Sequence, residues 1–209
     1  FVLDEDLMAK FKSAPAAVQM HHAYIGGLLE HTLNLLELAE VVGPRYPQLS
    51  QDLMLAGTFL HDIGKLAELT WDGPFRYTDS GQLVGHLLMG AMLIEEKARA
   101  AGADLGSPFP EPLLRVLQHM VLSHHGDYEY GSPKLPMTAE AIALHHLDNL
   151  DAKLAMFSRE VAQSEQSDPG SSWTGFVRAL DRKLFKSNVF KAGEESASAP
   201  APNGEEKDE

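Results

Sequence analysis

The feature that most constrains the fold is the helical spacing of apolar residues, because several of these apolar stripes contain a histidine or an aspartate. The first long stripe begins at Tyr24, and His31 lies within it, one turn from Leu28 and from Leu35. Strand-like alternation of apolar and polar residues is nearly absent. The sequence therefore predicts an all-α fold with several polar side chains directed into its core.

Turn and capping residues divide the chain into the predicted helices. Gly43-Pro44 is a helix stop signal, Pro112 stands where a helix begins, and Thr138 is a favourable N-cap residue. An Asp-Gly-Pro sequence inside Thr70–Gly81 predicts a loop there. The helices are expected at about His22–Val42, Ser50–Asp62, Ser80–Ala101, Pro112–His125, Thr138–Phe157 and Trp173–Phe185.

The charge balance limits the kinds of partner. The chain carries 17 Lys and Arg against 30 Asp and Glu, a formal net charge of -13, which argues against a broad electrostatic attraction for nucleic acid. A polyanionic substrate must therefore be held locally, by metal ions and a few positioned groups. No apolar run reaches bilayer-spanning length and no signal peptide opens the chain, so a cytoplasmic location without a membrane partner is expected.

The end of the chain differs in composition from the rest. From about Ala192 on, Ser, Ala, Pro, Gly and Glu predominate and no large apolar residue occurs. Such a segment cannot bury enough surface to order itself. We therefore expect a disordered acidic tail over residues 191–209 and a folded domain over residues 1–190.

Inward-facing polar residues recur on later helices. His124 continues the stripe of Leu117 and Met120, and Asp148 lies one turn from Leu144 and Ala152. Burying such groups without partners costs about 1–3 kcal/mol each, whereas a metal ion satisfies imidazole and carboxylate together. The chain has no cysteine, which excludes a thiolate site. Nitrogen and oxygen ligands suit manganese, iron, cobalt or magnesium.

The order of these residues along the chain is more informative than any one of them. A single inward histidine is more often a hydrogen-bonded core residue than a metal ligand. Here one histidine precedes a His-Asp pair, a second histidine and a His-His pair follow, and an aspartate lies on the last core helix. The residues of this pattern are His31, His61-Asp62, His86, His124-His125 and Asp148.

This pattern resembles the HD superfamily of metal-dependent phosphohydrolases. The resemblance implies an HD-domain helical bundle, which agrees with the all-α prediction, and two bound divalent ions. The ligands that it implies are His31, His61, Asp62 and Asp148 for one ion, and His86 and His124 for the other.

Longer strings narrow the resemblance. The strings HHAYIGGLLEHT, LHDIGK, SHHG, GSP and DNLDAK, within residues 11–157, are similar to the YhaM group of 3'→5' exoribonucleases. That similarity implies removal of nucleoside 5'-monophosphates from the 3' end of single-stranded RNA. Members of the group usually carry an OB-fold domain ahead of the HD domain; this sequence contains none, which is consistent with a fragment of a longer protein.

Some residues beside the ligand pattern are candidates for further roles. Asp62 is both a ligand and a catalytic candidate. Lys65 either meets a phosphate oxygen or is a solvated lysine at a helix end. His125 is a second-ion ligand, a proton donor to the leaving oxygen, or a structural neighbour. Asp151 shares a helix face with Asp148 and is expected to support a ligand.

The other aromatic residues and histidines have less distinctive positions. Aromatic residues in the loop after the His-Asp pair either stack on bases or, as we favour, anchor the loop; they are Trp71, Phe75 and Tyr77. The pair His21-His22 either lines a substrate path or lies on the surface. The remaining histidines are interpreted as structural: His119, His145 and His146.

Two other functions are open at this point. One is hydrolysis of nucleotides or cyclic dinucleotides, although the cyclic-dinucleotide branch usually has a Gly-Tyr-Pro element after its His-His pair and residues 127–133 lack it. The other is a non-catalytic, metal-stabilised RNA-binding module, which would have no chemical reason to keep every ligand. The sequence indicates no protein partner.

Overall fold

The computed structural model describes residues 1–18 and 23–186, so the His21-His22 pair and the acidic tail predicted over 191–209 lie outside the described residues. The chain divides into two compact units, Phe1–Met156 and a second unit that begins at Phe157. Helices dominate the described residues, whose sheets are two pairs of short strands, and this confirms the all-α prediction. No helix in this part of the chain has the length and apolar character needed to cross a bilayer. The domain limits at residues 1–190 remain a prediction.

The first unit is built from helices joined by turns, with one small hairpin inside the predicted loop. Its elements are α1 (Glu5–Ser13), α2 (Gly27–Val42), α3 (Gln51–Leu60), α4 (Lys65–Glu68), β1 (Leu69–Thr70), β2 (Arg76–Tyr77), α5 (Asp79–Val84), α6 (His86–Leu105), α7 (Glu111–Ser123) and the first part of α8 (Ala139–Ser167). Helix α1 was not among the predicted helices; the side chain of Asp4 caps it by accepting from the Leu7 N–H at 3.0 Å.

The first long helix begins later than predicted. Gly26 has a φ of 83°, a left-handed conformation that cannot continue a right-handed helix, so α2 begins at Gly27. Tyr24 therefore precedes the helix, is exposed, and does not belong to its apolar stripe. The rest of that stripe is correct, because Leu28 and Leu35 are fully buried.

The predicted helix Ser80–Ala101 is in fact two helices. Gly85, at φ 78° and ψ 154°, separates α5 from α6 and makes His86 the first residue of α6. The freed backbone N–H of His86 donates to a carboxylate oxygen of Glu68 at 2.9 Å. Gly64 allows this close approach, because a Cβ there would lie 2.0 Å from the backbone oxygen of His86. The turn after α3 is thereby held against the start of α6.

Apolar contacts place the first part of α8 against the other long helices. Leu147 packs with Leu35 of α2 and Met54 of α3, and Leu144 packs with Met120 of α7. These four helices therefore meet around a common interior. Their facing positions bring the polar residues of the sequence pattern into that interior.

The last helix continues beyond its predicted end at Phe157 and reaches Ser167. Residues 158–167 are mostly polar, which weakened the apolar periodicity, but they contain neither Gly nor Pro. The helix ends where Pro169 follows, since proline cannot continue it.

The helix predicted at Trp173–Phe185 is wrong: this part of the second unit is an antiparallel hairpin of β3 (Trp173–Val177) and β4 (Arg182–Phe185). Val177 and Leu184 are spaced as on one helix face, which explains the mistaken prediction. The aromatic and β-branched residues of β3 favour a strand instead. Asp181 turns the chain between the strands at a φ of 51°.

Candidate metal centre

The six residues predicted as metal ligands come together in the first unit. Three of them lie on α2, α6 and α8, and the others lie in the turns after α3 and α7. Those two helices end at Leu60 and Ser123, two residues before their predicted ends, so the His-Asp and His-His pairs follow the helices instead of being their last residues. The most deeply buried members of the set are His31, His61, Asp62 and His124.

A first cluster forms where α2, α8 and the turn after α3 meet. The Nε2 atom of His31 lies 3.2 Å from Nε2 of His61 and 3.2 Å from Oδ1 of Asp148. Oδ2 of Asp62 lies 3.4 Å from Nε2 of His61. One ligand atom from each of His31, His61 and Asp148 falls within 4.8 Å of the others, which is close enough to share one ion.

A second cluster adjoins the first. Ligand atoms of His86, His124 and His125 lie within 4.8 Å of one another. Oδ1 of Asp62 lies 3.5 Å from His86 Nε2 and 3.6 Å from His124 Nε2. Asp62 therefore presents one oxygen to each cluster.

The five histidines of the two clusters share one tautomeric arrangement at Nδ1. In three of them Nδ1 donates to a backbone carbonyl, which can only accept, so the proton is at Nδ1 and the lone pair is at Nε2. The acceptors are the oxygens of Thr58 for His61 at 2.6 Å, Val121 for His124 at 2.8 Å and Tyr130 for His125 at 2.8 Å.

Carboxylates hold the other two histidines. Nδ1 of His31 donates to Asp151 at 2.8 Å, as the shared face of Asp148 and Asp151 predicts. Nδ1 of His86 donates to Glu68 at 2.9 Å. Glu68 was not predicted from the sequence, because its role depends on the chain turning back at Gly85 and no local pattern marks it.

The electrostatics favour neutral imidazoles at His124 and His125 and an ionised carboxylate at Asp62. Burial and the neighbouring imidazoles hold the pKa of His124 well below its usual value, and burial and His86 lower the pKa of His125. Burial alone would raise the pKa of Asp62, but the charges on Lys65 and His61 hold it well below its usual range. Neutral imidazole and carboxylate are the forms that bind metal ions.

The first cluster has a positive charge at His31. Burial lowers the pKa of His31, but hydrogen bonds to Asp148 and Asp151 outweigh it and raise the pKa to about 9. The charged ring of His31 carries one proton at Nδ1 and a second at Nε2, and the second lies between His61 and Asp148. A cation bound there would take the place of that proton.

Two unsatisfied atoms show that the residues fit a metal ion. Within the described residues, Oδ1 of Asp62 and Nε2 of His86 are buried and have no hydrogen-bond partner. An unsatisfied buried polar group costs about 1–3 kcal/mol. A divalent cation between the two atoms would satisfy both.

Lys65 is not a solvated lysine at a helix end. Its side chain is only 14% exposed, and Nζ donates to Oδ2 of Asp62 at 2.6 Å. Burial alone would lower the pKa of Lys65, but the charge on Asp62 raises it. Lys65 is therefore a buried cation beside the shared carboxylate.

His119, His145 and Trp71 have structural contacts. Nε1 of Trp71 donates to Ser13 Oγ at 3.2 Å, which confirms that this residue anchors its loop. Nε2 of His119 accepts from the Met137 N–H at 2.9 Å. His145 donates from Nδ1 to the backbone oxygen of His124 at 2.8 Å and so holds the His-His turn.

A cavity of about 520 Å³ opens beside the second cluster. His86 and His125 line both the cavity and the cluster, and Tyr130 and Lys134 contribute an aromatic ring and an ammonium group. Its volume is within the range of about 300–1,000 Å³ that is usual for small-molecule sites.

Comparison with known proteins identifies the class to which this fold and site belong. The HD domain model matches residues 28–153, so the chain belongs to the HD domain family, whose domains are metal-dependent. The 3'-5' exoribonuclease YhaM of Geobacillus sp. (strain WCH70) is 43% identical over 183 residues, which are 88% of this chain and 53% of that protein. These matches confirm the resemblance seen in the sequence.

Other curated relatives carry the same name. The 3'-5' exoribonuclease YhaM of Bacillus licheniformis is 43% identical over 87% of this chain and 54% of its own length, and that of Bacillus subtilis (strain 168) is 41% identical over 87% and 55%. The chain thus spans about half the length of the curated relatives that it matches. No solved structure matches it significantly.

Proposed function

We propose that the chain is the catalytic part of a metal-dependent 3'→5' exoribonuclease that releases nucleoside 5'-monophosphates from single-stranded RNA. The observation that carries this proposal is that two adjoining clusters of histidines share the buried carboxylate of Asp62, with Asp148 completing the first cluster. The similarity to relatives named as 3'-5' exoribonucleases supports the substrate. An RNA substrate is consistent with the cytoplasmic location that the sequence predicts.

The two clusters would hold two ions that share Asp62. The proposed ligands are His31, His61, Asp62 and Asp148 for the first ion, and Asp62, His86, His124 and His125 for the second. His125 is included because its ligand atom lies with those of His86 and His124. The donor set suits manganese, iron, cobalt or magnesium.

Bound ions would supply an activated water and offset charge on the phosphate oxygens. Oxygen from water forms the new bond to phosphorus, the bond from phosphorus to the 3' oxygen breaks, and a proton passes to that oxygen. The phosphate therefore leaves on the 5' side of the released nucleotide. Lys65 holds Asp62 in place and adds positive charge beside the site.

The cavity beside the second cluster is the proposed place for the terminal nucleotide. His86 and His125 belong to both, so a phosphate at the ions would put its nucleoside close to Tyr130 and Lys134. A ring there can stack on any base, which suits an enzyme that removes every nucleotide in turn.

Time-resolved sizing of a 5'-labelled single-stranded RNA tests the proposal. The strand should shorten one nucleotide at a time with release of 5'-monophosphates, and a base-paired 3' end should slow it. Internal fragments or 3'-monophosphates as first products would contradict the exonuclease while leaving an HD hydrolase. Inactivity on RNA together with cleavage of a cyclic dinucleotide would favour that alternative instead.

A further inference from the structure

The hairpin of the second unit exposes three aromatic side chains on one face. Trp173 pairs with Phe185 across the strands, and their ring centroids are 5.1 Å apart. Phe176 pairs with Lys183. The exposed fractions are 53% for Trp173, 58% for Phe176 and 46% for Phe185. A single exposed ring is ordinary, but three large rings grouped on one exposed face are typical of a binding surface.

The opposite face of the hairpin is buried, so the aromatic face has a fixed support. Thr174, Val177 and Leu184 are buried, and the Leu184 N–H donates to Thr174 Oγ1 at 2.9 Å. Lys186 is also buried, with Nζ donating to the backbone oxygen of Asp168 at 2.7 Å. The exposed rings therefore project from an anchored hairpin.

Positive charges accompany these rings in a chain that is otherwise acidic. Arg178, Arg182 and Lys183 are exposed and form no ion pair with another described residue. The only acidic residue between Trp173 and Lys186 is Asp181, whereas the whole chain has 30 acidic against 17 basic residues. This hairpin is therefore an exception to the charge of the molecule.

We propose that the aromatic face of this hairpin binds single-stranded RNA. The bases would stack on Trp173, Phe176 and Phe185. The phosphates would pair with Lys183, which lies opposite Phe176 on this face, and with the exposed guanidinium groups of Arg178 and Arg182 at the turn of the hairpin. This inference rests on the proposed function, since it assigns a second contact to the same substrate. It also answers how so acidic a chain retains a polyanion.

The charges favour RNA over another copy of this chain. A symmetric contact between two such hairpins would bring the same patch of each together. Three unpaired cations on each side would then repel one another. A nucleic acid strand instead offers π faces and negative charges in alternation, which matches the hairpin.

The proposal is tested by measuring the RNA affinity of the full chain. The probe is a labelled single-stranded oligonucleotide, and chelator is present so that no hydrolysis occurs. Phe176→Ala should weaken binding about tenfold, and Phe176→Tyr should retain it because the ring is kept. Arg182→Ala and Lys183→Ala should each reduce the slope of log K against log salt by about 0.7. Tyr46→Ala, which removes another half-exposed ring, and Arg99→Ala, which removes an exposed cation, should leave affinity unchanged.

Equal RNA affinity in Phe176→Ala and the wild type would overturn the inference. It would also be overturned if the wild type were a dimer that dissociates in Phe176→Ala without a change in RNA binding. Melting curves that match the wild type would show that the variant hairpin is folded, and Lys183→Ala gives a second readout that removes no ring. The binding assay in chelator does not depend on catalysis. If the hairpin binds RNA but the metal-replete chain never hydrolyses it, the proposed function is overturned and this inference stands.

Discussion

Asp62 is the residue on which both halves of the candidate metal centre depend. Its two oxygens face different clusters, and one of them also accepts from Lys65. Sequence order alone predicts that Asp62 is a ligand. It does not predict the sharing, because that depends on α6 and the turn after α7 reaching the same carboxylate from another side.

Removing this carboxylate is predicted to abolish hydrolysis, reduce bound metal and lower stability together. Asp62→Ala deletes the shared oxygens and leaves Lys65 buried without its partner. Breaking a buried ion pair from one side costs about 3–5 kcal/mol. Activity on RNA, metal content by mass spectrometry and thermal melting of the purified variant check the three effects.

Asp104→Ala is a suitable control, because Asp104 is an exposed aspartate near the end of α6. It should keep wild-type activity, metal content and melting temperature. Full activity in metal-replete Asp62→Ala would contradict the proposed centre.

Asp151 and Glu68 accept hydrogen bonds from His31 and His86, and each is predicted to control the metal affinity of one cluster. Asp151→Ala removes the acceptor of His31 and Glu68→Ala that of His86, and losing such an acceptor lowers metal affinity by about 10–100-fold. Metal titration should show one weakened ion in each variant, while the other ion is nearly unaffected. Two ions bound with wild-type affinity in both variants would show that these contacts do not orient the ligands.

At the scale of elements, helix ends place most of the candidate ligands. His61 and His124 are C-cap residues, and His86 is the first residue of α6. Apolar periodicity predicted which helices carry them. It placed the ends of α3 and α7 two residues too late, and it missed the break at Gly85, because a stripe of apolar residues does not report backbone conformation.

The turn after α7 is predicted to tolerate no side chain at Gly126. This residue has a φ of 81°, and a Cβ would lie 2.1 Å from the ring of His145, which itself holds the His124 carbonyl. Gly126→Ala should therefore lower the melting temperature and weaken metal binding at the second cluster. Thermal melting and metal titration measure both.

Gly131→Ala provides the matched control for that substitution. Gly131 has a similar φ of 78°, but a Cβ there has nothing within 4 Å. Gly131→Ala should lower the free energy of unfolding only through backbone strain, by about 1–2 kcal/mol. Equal melting temperatures for the two variants would mean that contact with His145 does not matter.

The hairpin of the second unit shows where periodicity misleads. Val177 and Leu184 fit one face of a helix as well as one face of this hairpin, and only the aromatic and β-branched residues of β3 distinguish the two. The role proposed for its exposed rings was beyond the sequence analysis, because a helix would have placed them differently.

At the scale of the whole molecule, the acidic charge and the metal centre are connected. Buried carboxylates add to a net charge of -13, and bound divalent ions would offset part of it. Chelation is therefore predicted to lower the melting temperature. A ligand present at 100 times its Kd stabilises the folded state by about 2.7 kcal/mol.

Melting curves with and without chelator check this prediction, and added manganese should restore the original curve. Asp62→Ala, which lacks the shared ligand, should respond much less to either treatment. A wild-type melting temperature that does not change with chelator would contradict a centre that binds ions only in the folded chain.

The histidines fall into two groups, according to whether a substitution can remove the hydrogen-bond acceptor of Nδ1. Every amino acid has a backbone oxygen, so no replacement of Thr58, Val121 or Tyr130 deletes the atom that orients His61, His124 or His125. His31 and His86 depend on side chains that one codon change can remove. A family of such proteins that adapts to a scarce metal would therefore be expected to vary first at positions 68 and 151, while the other three imidazoles stay as they are.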